Sequence, residues 1–204
     1  APRPIDSELS TVFDTAGKFV VGYLGTHGLA HNLPSVLESV AMLRDRSDIV
    51  FIFAGSGADR KRVEEIVREK DLVNVKLVPR QPKEVMPRLW SLCDLTLVPL
   101  RNSPVFSSVI PSKIFESMGM GVPIIISVPA GEAVDIVLAS NAGVAVPPDD
   151  PVAMAQEIAR LADDRKLLAE FKAAAAAAAA QYSRSAQAER MLGIIAKYSK
   201  CSTV

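Results

Sequence analysis

Six short apolar runs, each followed by a stretch with helical spacing, constrain this chain more than any other feature. The runs occupy residues 19–24, 49–53, 73–79, 95–99, 123–128 and 143–146. Each is contiguous, mostly aliphatic and bounded by glycine, proline or polar turn residues, as strands buried on both faces of a parallel sheet require. Between them, residues 33–43 put Leu33, Val36, Leu37, Val40 and Leu43 on one helical face, and residues 59–70 do the same with Val63, Ile66 and Val67. Further helices are predicted over 82–93, 112–120, 132–139, 152–162, 166–181 and 187–198. Serial strand–helix units joined by right-handed crossovers place helices on both faces of the sheet. The expected fold is therefore α/β: a doubly wound, Rossmann-like parallel sheet of about six strands.

Residues 1–17 are polar and proline-containing and read as a linker or interdomain segment. Residues 18–182 form the expected domain, and 183–204 carry a last helix. The unbroken run from Ala173 to Ala180 extends a helix at little cost. It reads as a surface helix, with a tight packing face as the alternative.

Composition narrows the partners. Hydrophobic residues are 49% of the chain and aromatics 5%, so an aliphatic core is expected. Lys plus Arg and Asp plus Glu each number 23, and the charges are interspersed. Zero net charge without a basic stripe argues against a nucleic-acid partner. The two cysteines, Cys93 and Cys201, form neither a metal pattern nor a disulfide framework, which points to a reducing, cytoplasmic setting. No signal-peptide pattern opens the sequence, and no apolar run reaches the roughly 18 residues of a membrane span. Any membrane contact is expected to be peripheral, at the inner face.

In open parallel sheets, ligands bind beyond the carboxyl ends of the strands. The segment 102–116 follows a strand and leads into a helix. The free amides of Ser112, Lys113 and Ile114 would face an anion there. Lys113 adds a compact positive charge suited to phosphate. Glu116 lies four residues past Ser112, on the same helical face. Its two carboxylate oxygens match the two hydroxyls of a ribose. Together these describe a nucleotide site; a plain capping pattern with both side chains solvated is the alternative.

The loop after the first strand reads Gly25-Thr26-His27-Gly28-Leu29-Ala30-His31-Asn32. Gly25 and Gly28 let a phosphate approach the backbone, although the dinucleotide spacing G-x-G-x-x-G is absent. His27 and His31 are four apart, a spacing that admits a metal pair, but no third ligand accompanies them. Hydrogen bonding or positive charge beside a phosphate fits them better, and an ordinary capped turn stays open. Gly55-Ser56-Gly57 reads as a simple tight turn, and Glu132 as equally suited to a structural or a ligand-facing role.

The run Pro111-Ser112-Lys113-Ile114-Phe115-Glu116-Ser117-Met118-Gly119-Met120-Gly121-Val122-Pro123-Ile124-Ile125 resembles the E-A-M-A-x-G-x-P-V-I signature of family 4 glycosyltransferases, the glycosyl transferases group 1. Residues 141–151 resemble that family's G-x-x-V-P-P-x-D-P stretch. Gly22-Tyr23-Leu24-Gly25-Thr26-His27-Gly28 resembles the Y-x-G-T-H-G opening of a subgroup that builds bacterial surface polysaccharides, aminosugar transferases among them.

The resemblance implies the carboxyl-terminal, donor-binding domain of a two-domain GT-B enzyme, with a final helix that crosses back to an amino-terminal acceptor domain. It implies a nucleotide-sugar donor with UDP as carrier, a glycan or lipid-linked acceptor, retention at the sugar carbon, and no metal or other cofactor. Glu116 matches the ribose-binding glutamate of the family's E-x7-E motif, and the first glutamate falls at Ser108, which departs from it. The family's phosphate-binding cations fall at Thr26 and about His31, so Lys113 is expected to supply the missing charge. Arg80 sits where the family's backbone meets the base. An isolated half of this kind is expected to be inactive, with a UDP-sugar 2-epimerase half or a non-catalytic interaction module as alternatives.

Overall fold

The computed structural model describes residues 1–199; Cys201 and the end of the segment 183–204 lie outside the described residues. Strands β1 (Phe19–Leu24), β2 (Ile49–Ala54), β3 (Val75–Val78), β4 (Leu95–Pro99), β5 (Ile124–Ser127) and β6 (Gly143–Ala145) form one parallel sheet. Its order is β3-β2-β1-β4-β5-β6, the arrangement of a doubly wound Rossmann-like fold. The helices are α1 (Ser7–Val12), α2 (Leu33–Met42), α3 (Arg60–Glu69), α4 (Met86–Trp90), α5 (Lys113–Met120), α6 (Glu132–Ala139), α7 (Pro151–Asp163), α8 (Arg165–Gln181) and α9 (Arg184–Ser199).

The two-residue period of the strands sorts their side chains between two cores. Phe19, Val21, Tyr23, Phe51, Phe53, Leu97 and Ile125 face a core closed by α2, α3 and α7, through Leu37, Val63 and Ile158. On the other face, Val20, Ile52 and Ala54 meet Leu89 and Trp90 of α4. There too, Val98, Ile124 and Ile126 meet Ile114 and Met118 of α5 and Val137 of α6. The core under α2 is not purely aliphatic: Phe19, Tyr23, Phe51 and Phe53 are fully buried in it.

Neighbouring strands β1 and β4 therefore send the chain to opposite faces, β1 into α2 and β4 into α5. The crevice opened by that divergence is the topological switch point, where ligands of such sheets bind.

Three details differ from the sequence expectations. Residues 1–17, expected as a linker or interdomain segment, dock on this domain. Asp6 caps α1 by accepting from the Leu9 amide at 3.0 Å and pairs with Arg88 on α4 at 2.5 Å, while Leu9 and Phe13 pack on the core beside Trp90. The helix expected over 82–93 is confined to Met86–Trp90, because residues 82–85 close a separate turn in which the Val85 amide donates to the Pro82 carbonyl. The alanine run is more than a surface helix: Ala175 is fully buried against the α5 core, and Ala178 and Ala179 pack beside it. Small side chains are what let α8 lie close along α5 there.

Among the described residues no helix is long and apolar enough to cross a membrane. Cys93 is buried and unpaired by disulfide, its thiol pushed up by burial.

The α5–α8 contact gives a direct test of packing. Ala175→Leu inserts three carbons where no room exists and is expected to cost about 1–3 kcal/mol by overpacking. Ala177→Leu, on the exposed face of the same run, is expected to stay within about 0.5 kcal/mol of the wild type. Urea unfolding midpoints compare the two; equal losses would contradict the assigned face.

Candidate functional site

The start of α5 reaches across the switch crevice. Lys113 opens this helix but is only 8% exposed, because its chain passes over Gly25 at the end of β1. A Cβ at Gly25 would stand 2.6 Å from Lys113 Cε, and Gly25 has φ +144°, so both space and backbone call for glycine. Beyond Gly25, Lys113 Nζ donates to the Tyr23 hydroxyl at 3.1 Å and lies 4.5 Å from the centre of the Tyr23 ring. The Tyr23 hydroxyl in turn donates to the Thr26 carbonyl at 2.5 Å. Burial pushes the Lys113 ammonium down to about 8, partly opposed by the Glu116 carboxylate. Burial raises the Tyr23 phenol, with Asp59 adding to the effect.

The amides of Ser112 and Lys113 have no acceptor among the described residues, whereas the Ile114 amide donates to the Pro111 carbonyl at 3.1 Å. The expected three free amides are therefore two, and the Ile114 side chain is fully buried in the core. Ser112 already has helical torsions, and its hydroxyl donates to Glu116 Oε1 at 3.1 Å instead of capping the helix. Glu116 is exposed, one turn from Lys113.

The loop after β1 is stitched to the loop after β2. The Gly25 amide donates to the Ala54 carbonyl and the His27 amide to the Ser56 carbonyl. A Cβ on Gly55 would lie 1.8 Å from the Gly25 oxygen, and one on Gly57 2.4 Å from the His27 oxygen. Gly55-Ser56-Gly57 is thus more than a tight turn: its bare backbone lets the two loops touch. Arg60 fastens the same corner by donating to the carbonyls of Gly55 (3.3 Å) and Val78 (3.0 Å).

His27 and His31, expected to offer hydrogen bonds or positive charge beside a phosphate, are both held neutral near pH 7. His27 is fully buried, and neither ring nitrogen has a hydrogen-bond partner among the described residues. Burial, Arg60, Lys113 and His31 push it down to about 4. It packs against the Tyr23 ring beneath the loop, centroids 5.6 Å apart. His31 Nδ1 donates to the Gly28 carbonyl at 3.3 Å. Burial and Lys113 push His31 down to about 4 as well, so it too is neutral near pH 7.

A cleft of about 480 Å³ opens beside this corner, lined by Gly25, Thr26, Gly55, Ser56, Arg80 and Gln81 among others. Thr26 and Arg80 are exposed in it. Ser108 lies on the exposed loop before α5. Its neighbour Ser107 is packed against Gly131, where a Cβ would come within 2.1 Å of the Ser107 carbonyl. Glu132 is exposed in the first turn of α6.

Tyr23 and Asp149 also shape the site, without a local sequence signal for it. Tyr23 was visible only as the first letter of Y-x-G-T-H-G. Asp149 accepts from Asn32 Nδ2 at 2.7 Å and from the Asn102 amide at 2.8 Å. It ties the loops after β1 and β4 together from the V-P-P-D-D-P stretch, while Asp150 caps α7 by accepting from the Ala153 amide at 2.9 Å.

The profile of the family described as Glycosyl transferases group 1 matches residues 11–178. The chain belongs to this family. The glycosyl transferase WcaI of Escherichia coli (strain K12) is 28% identical over 104 residues, 51% of this chain and 25% of that protein. Among solved structures, Anabaena Alr3699/HepE in complex with UDP and glucose superposes with a TM-score of 0.79 at 20% identity, covering 94% of this chain and 51% of that one. The C-terminal domain of the group 1 protein LpcC from Francisella tularensis superposes with a TM-score of 0.69 at 16% identity, covering 89% of this chain and 96% of that domain. These likenesses bear out the fold. The chain spans 25–48% of the length of the curated relatives it matches.

For this group 1 domain, the neutral histidines set an acid limit. The unfolded chain takes up a proton on His27 near pH 6.5, whereas the folded protein resists until about 4. The unfolded state then binds more protons across that window, so stability falls as pH drops through it, by up to about 1.4 kcal/mol per pH unit for one group. Asp6, held near 2 by Arg88, contributes only below it. Urea midpoints between pH 7 and 4 are expected to fall steadily, and less steeply in His27→Leu. Parallel profiles for the two proteins would contradict the assignment.

Proposed function

We propose that the chain is the donor-binding domain of a retaining glycosyltransferase that takes a UDP-sugar and delivers the sugar to a bacterial glycan or lipid-linked acceptor. The observation that carries this reading is that one helix start at the switch crevice holds both the free amides of Ser112 and Lys113 and the lysine whose side chain reaches Gly25, one turn from the Glu116 carboxylate.

The chemistry asks for little more from this half. As the bond from the sugar carbon to the diphosphate breaks, negative charge grows on the departing β-phosphate oxygens. Oriented amides and a poorly hydrated ammonium lower that barrier without reorganising. An ammonium near 8 is mostly protonated at neutral pH, and an arriving dianion raises its affinity for the proton further. Glu116 accepts from the ribose hydroxyls with its carboxylate oxygens. The base enters the cleft along Thr26, Gly55 and Arg80. Ser108 replaces the usual sugar-reading carboxylate with a hydroxyl, so the sugar contact differs there from the family pattern. Lys113 and the amides provide the charge compensation, and no metal is required.

Residues 1–17 and α9 would join an acceptor domain outside this chain. Met191, Leu192, Ile194 and Ile195 on α9 are each more than half exposed, which supports a covered role in the whole protein. The chain alone then binds donor without transferring sugar, and the whole enzyme works on the cytoplasmic side with at most peripheral membrane contact.

Titration calorimetry tests the reading. UDP is expected to bind with or without EDTA. Glu116→Ala is expected to weaken UDP about tenfold while leaving pyrophosphate nearly unchanged, the loss of one charge-assisted contact pair. No heat with millimolar UDP and folded protein, or equal losses for UDP and pyrophosphate, would contradict it.

A further inference from the structure

We propose that Tyr23 is the positioning residue for diphosphate binding: its hydroxyl holds the Lys113 ammonium over Gly25, where the β1 loop itself carries no cation. The inference rests on the nucleotide reading above and deepens it.

The loop after β1 carries Thr26, His27 and His31, and both histidines are neutral near pH 7. Positive charge at this corner must come from elsewhere in the chain. Lys113 comes from α5, which packs on the opposite face of the sheet from α2. Its side chain crosses the crevice only because Gly25 has no Cβ.

An extended lysine chain has four freely turning bonds and is held poorly by a single contact. Tyr23 supplies two: the hydroxyl accepts from Nζ at 3.1 Å, and the ring lies 4.5 Å away. The hydroxyl can accept because its own proton is committed to the Thr26 carbonyl. The ring is itself fixed, being fully buried and in contact with His27, His31 and Phe53 at centroid distances of 5.6, 6.0 and 5.8 Å. One side chain therefore orients the cation and also pins the Thr26 carbonyl, an oxygen that would repel phosphate if it turned toward the cleft.

Glu116 faces Lys113 from its own helix. His27 and His31 face it from the β1 loop. Asp59 acts on Tyr23 and His31 from the start of α3, and Arg60 and Glu64 act on His27 from the same helix. Removing the Tyr23 hydroxyl leaves all of these in place and takes away an acceptor that favours the charged lysine. The proton on Lys113 then becomes easier to lose.

The test has a ligand-free arm and a ligand arm. The Lys113 Nζ titration is followed by NMR in the full chain without nucleotide. Its midpoint is expected near 8 and about one unit lower in Tyr23→Phe. Incorporation of 3-fluorotyrosine keeps the hydroxyl but weakens it as an acceptor, and is expected to move the midpoint the same way. That measurement stands if Tyr23→Phe does not fold.

In the ligand arm, Tyr23→Phe is expected to weaken UDP roughly tenfold at pH 7. In a Lys113→Met background the same change is expected to cost less than about twofold, as coupled residues require. An unmoved Lys113 midpoint, or losses that simply add, would overturn the role of Tyr23 even if UDP binds. A shifted midpoint in a folded wild-type protein that does not bind UDP would overturn the nucleotide reading and, with it, the diphosphate role of the pair.

Discussion

The divergence of β1 and β4 is the constraint from which the candidate site follows. Two adjacent parallel strands hand the chain to opposite faces, so no helix covers the gap between their carboxyl ends. Into that gap the fold directs the free amides of one helix start and the Lys113 side chain. Gly25 makes the arrangement possible, since any side chain there would occupy the path of Lys113 Cε. The apolar strand pairs beneath, Tyr23 opposite Phe53 and Leu24 opposite Ala54, set the height of the loop to which the lysine reaches.

Holding an ammonium at 8% exposure has a cost, visible as the fall of Lys113 to about 8. The fold offsets it locally with the Tyr23 hydroxyl and ring and the Glu116 carboxylate. Around that pair the loops are braced by backbone contacts instead of side-chain volume. Gly55 rests against the Gly25 carbonyl and Gly57 against that of His27. Asp149 then joins the β1 loop to the β4 loop through Asn32 and Asn102. A charge-bearing site on loops needs such bracing, because small displacements forfeit the orientation that favours a developing charge.

The sheet was legible in the sequence because burial on both faces leaves contiguous apolar runs with little ambiguity about where a strand lies. The site was legible in part. Ser112, Lys113 and Glu116 declare themselves by spacing, since one helical turn fixes which of them share a face. The state of the histidines was not legible: their protonation depends on burial that no local pattern reveals, and His27 is fully buried beneath the loop. Tyr23 was hidden for the opposite reason. As a strand residue in an apolar run it reads as core, and its contact with Lys113 spans 90 positions. The docking of residues 1–17 was equally non-local, resting on Asp6 meeting Arg88 from α4. The alanine run was ambiguous because alanine suits a solvent-facing helix and a close helix–helix contact alike.

A crystal structure of the chain with UDP bound tests the central claim most directly. The account predicts the β-phosphate at the start of α5, with its oxygens within about 3.2 Å of Lys113 Nζ and of the amides of Ser112 and Lys113, and with Glu116 on the ribose. A diphosphate seated elsewhere, at the start of α6 or on Arg80 with Lys113 Nζ still bound only to Tyr23, would contradict it.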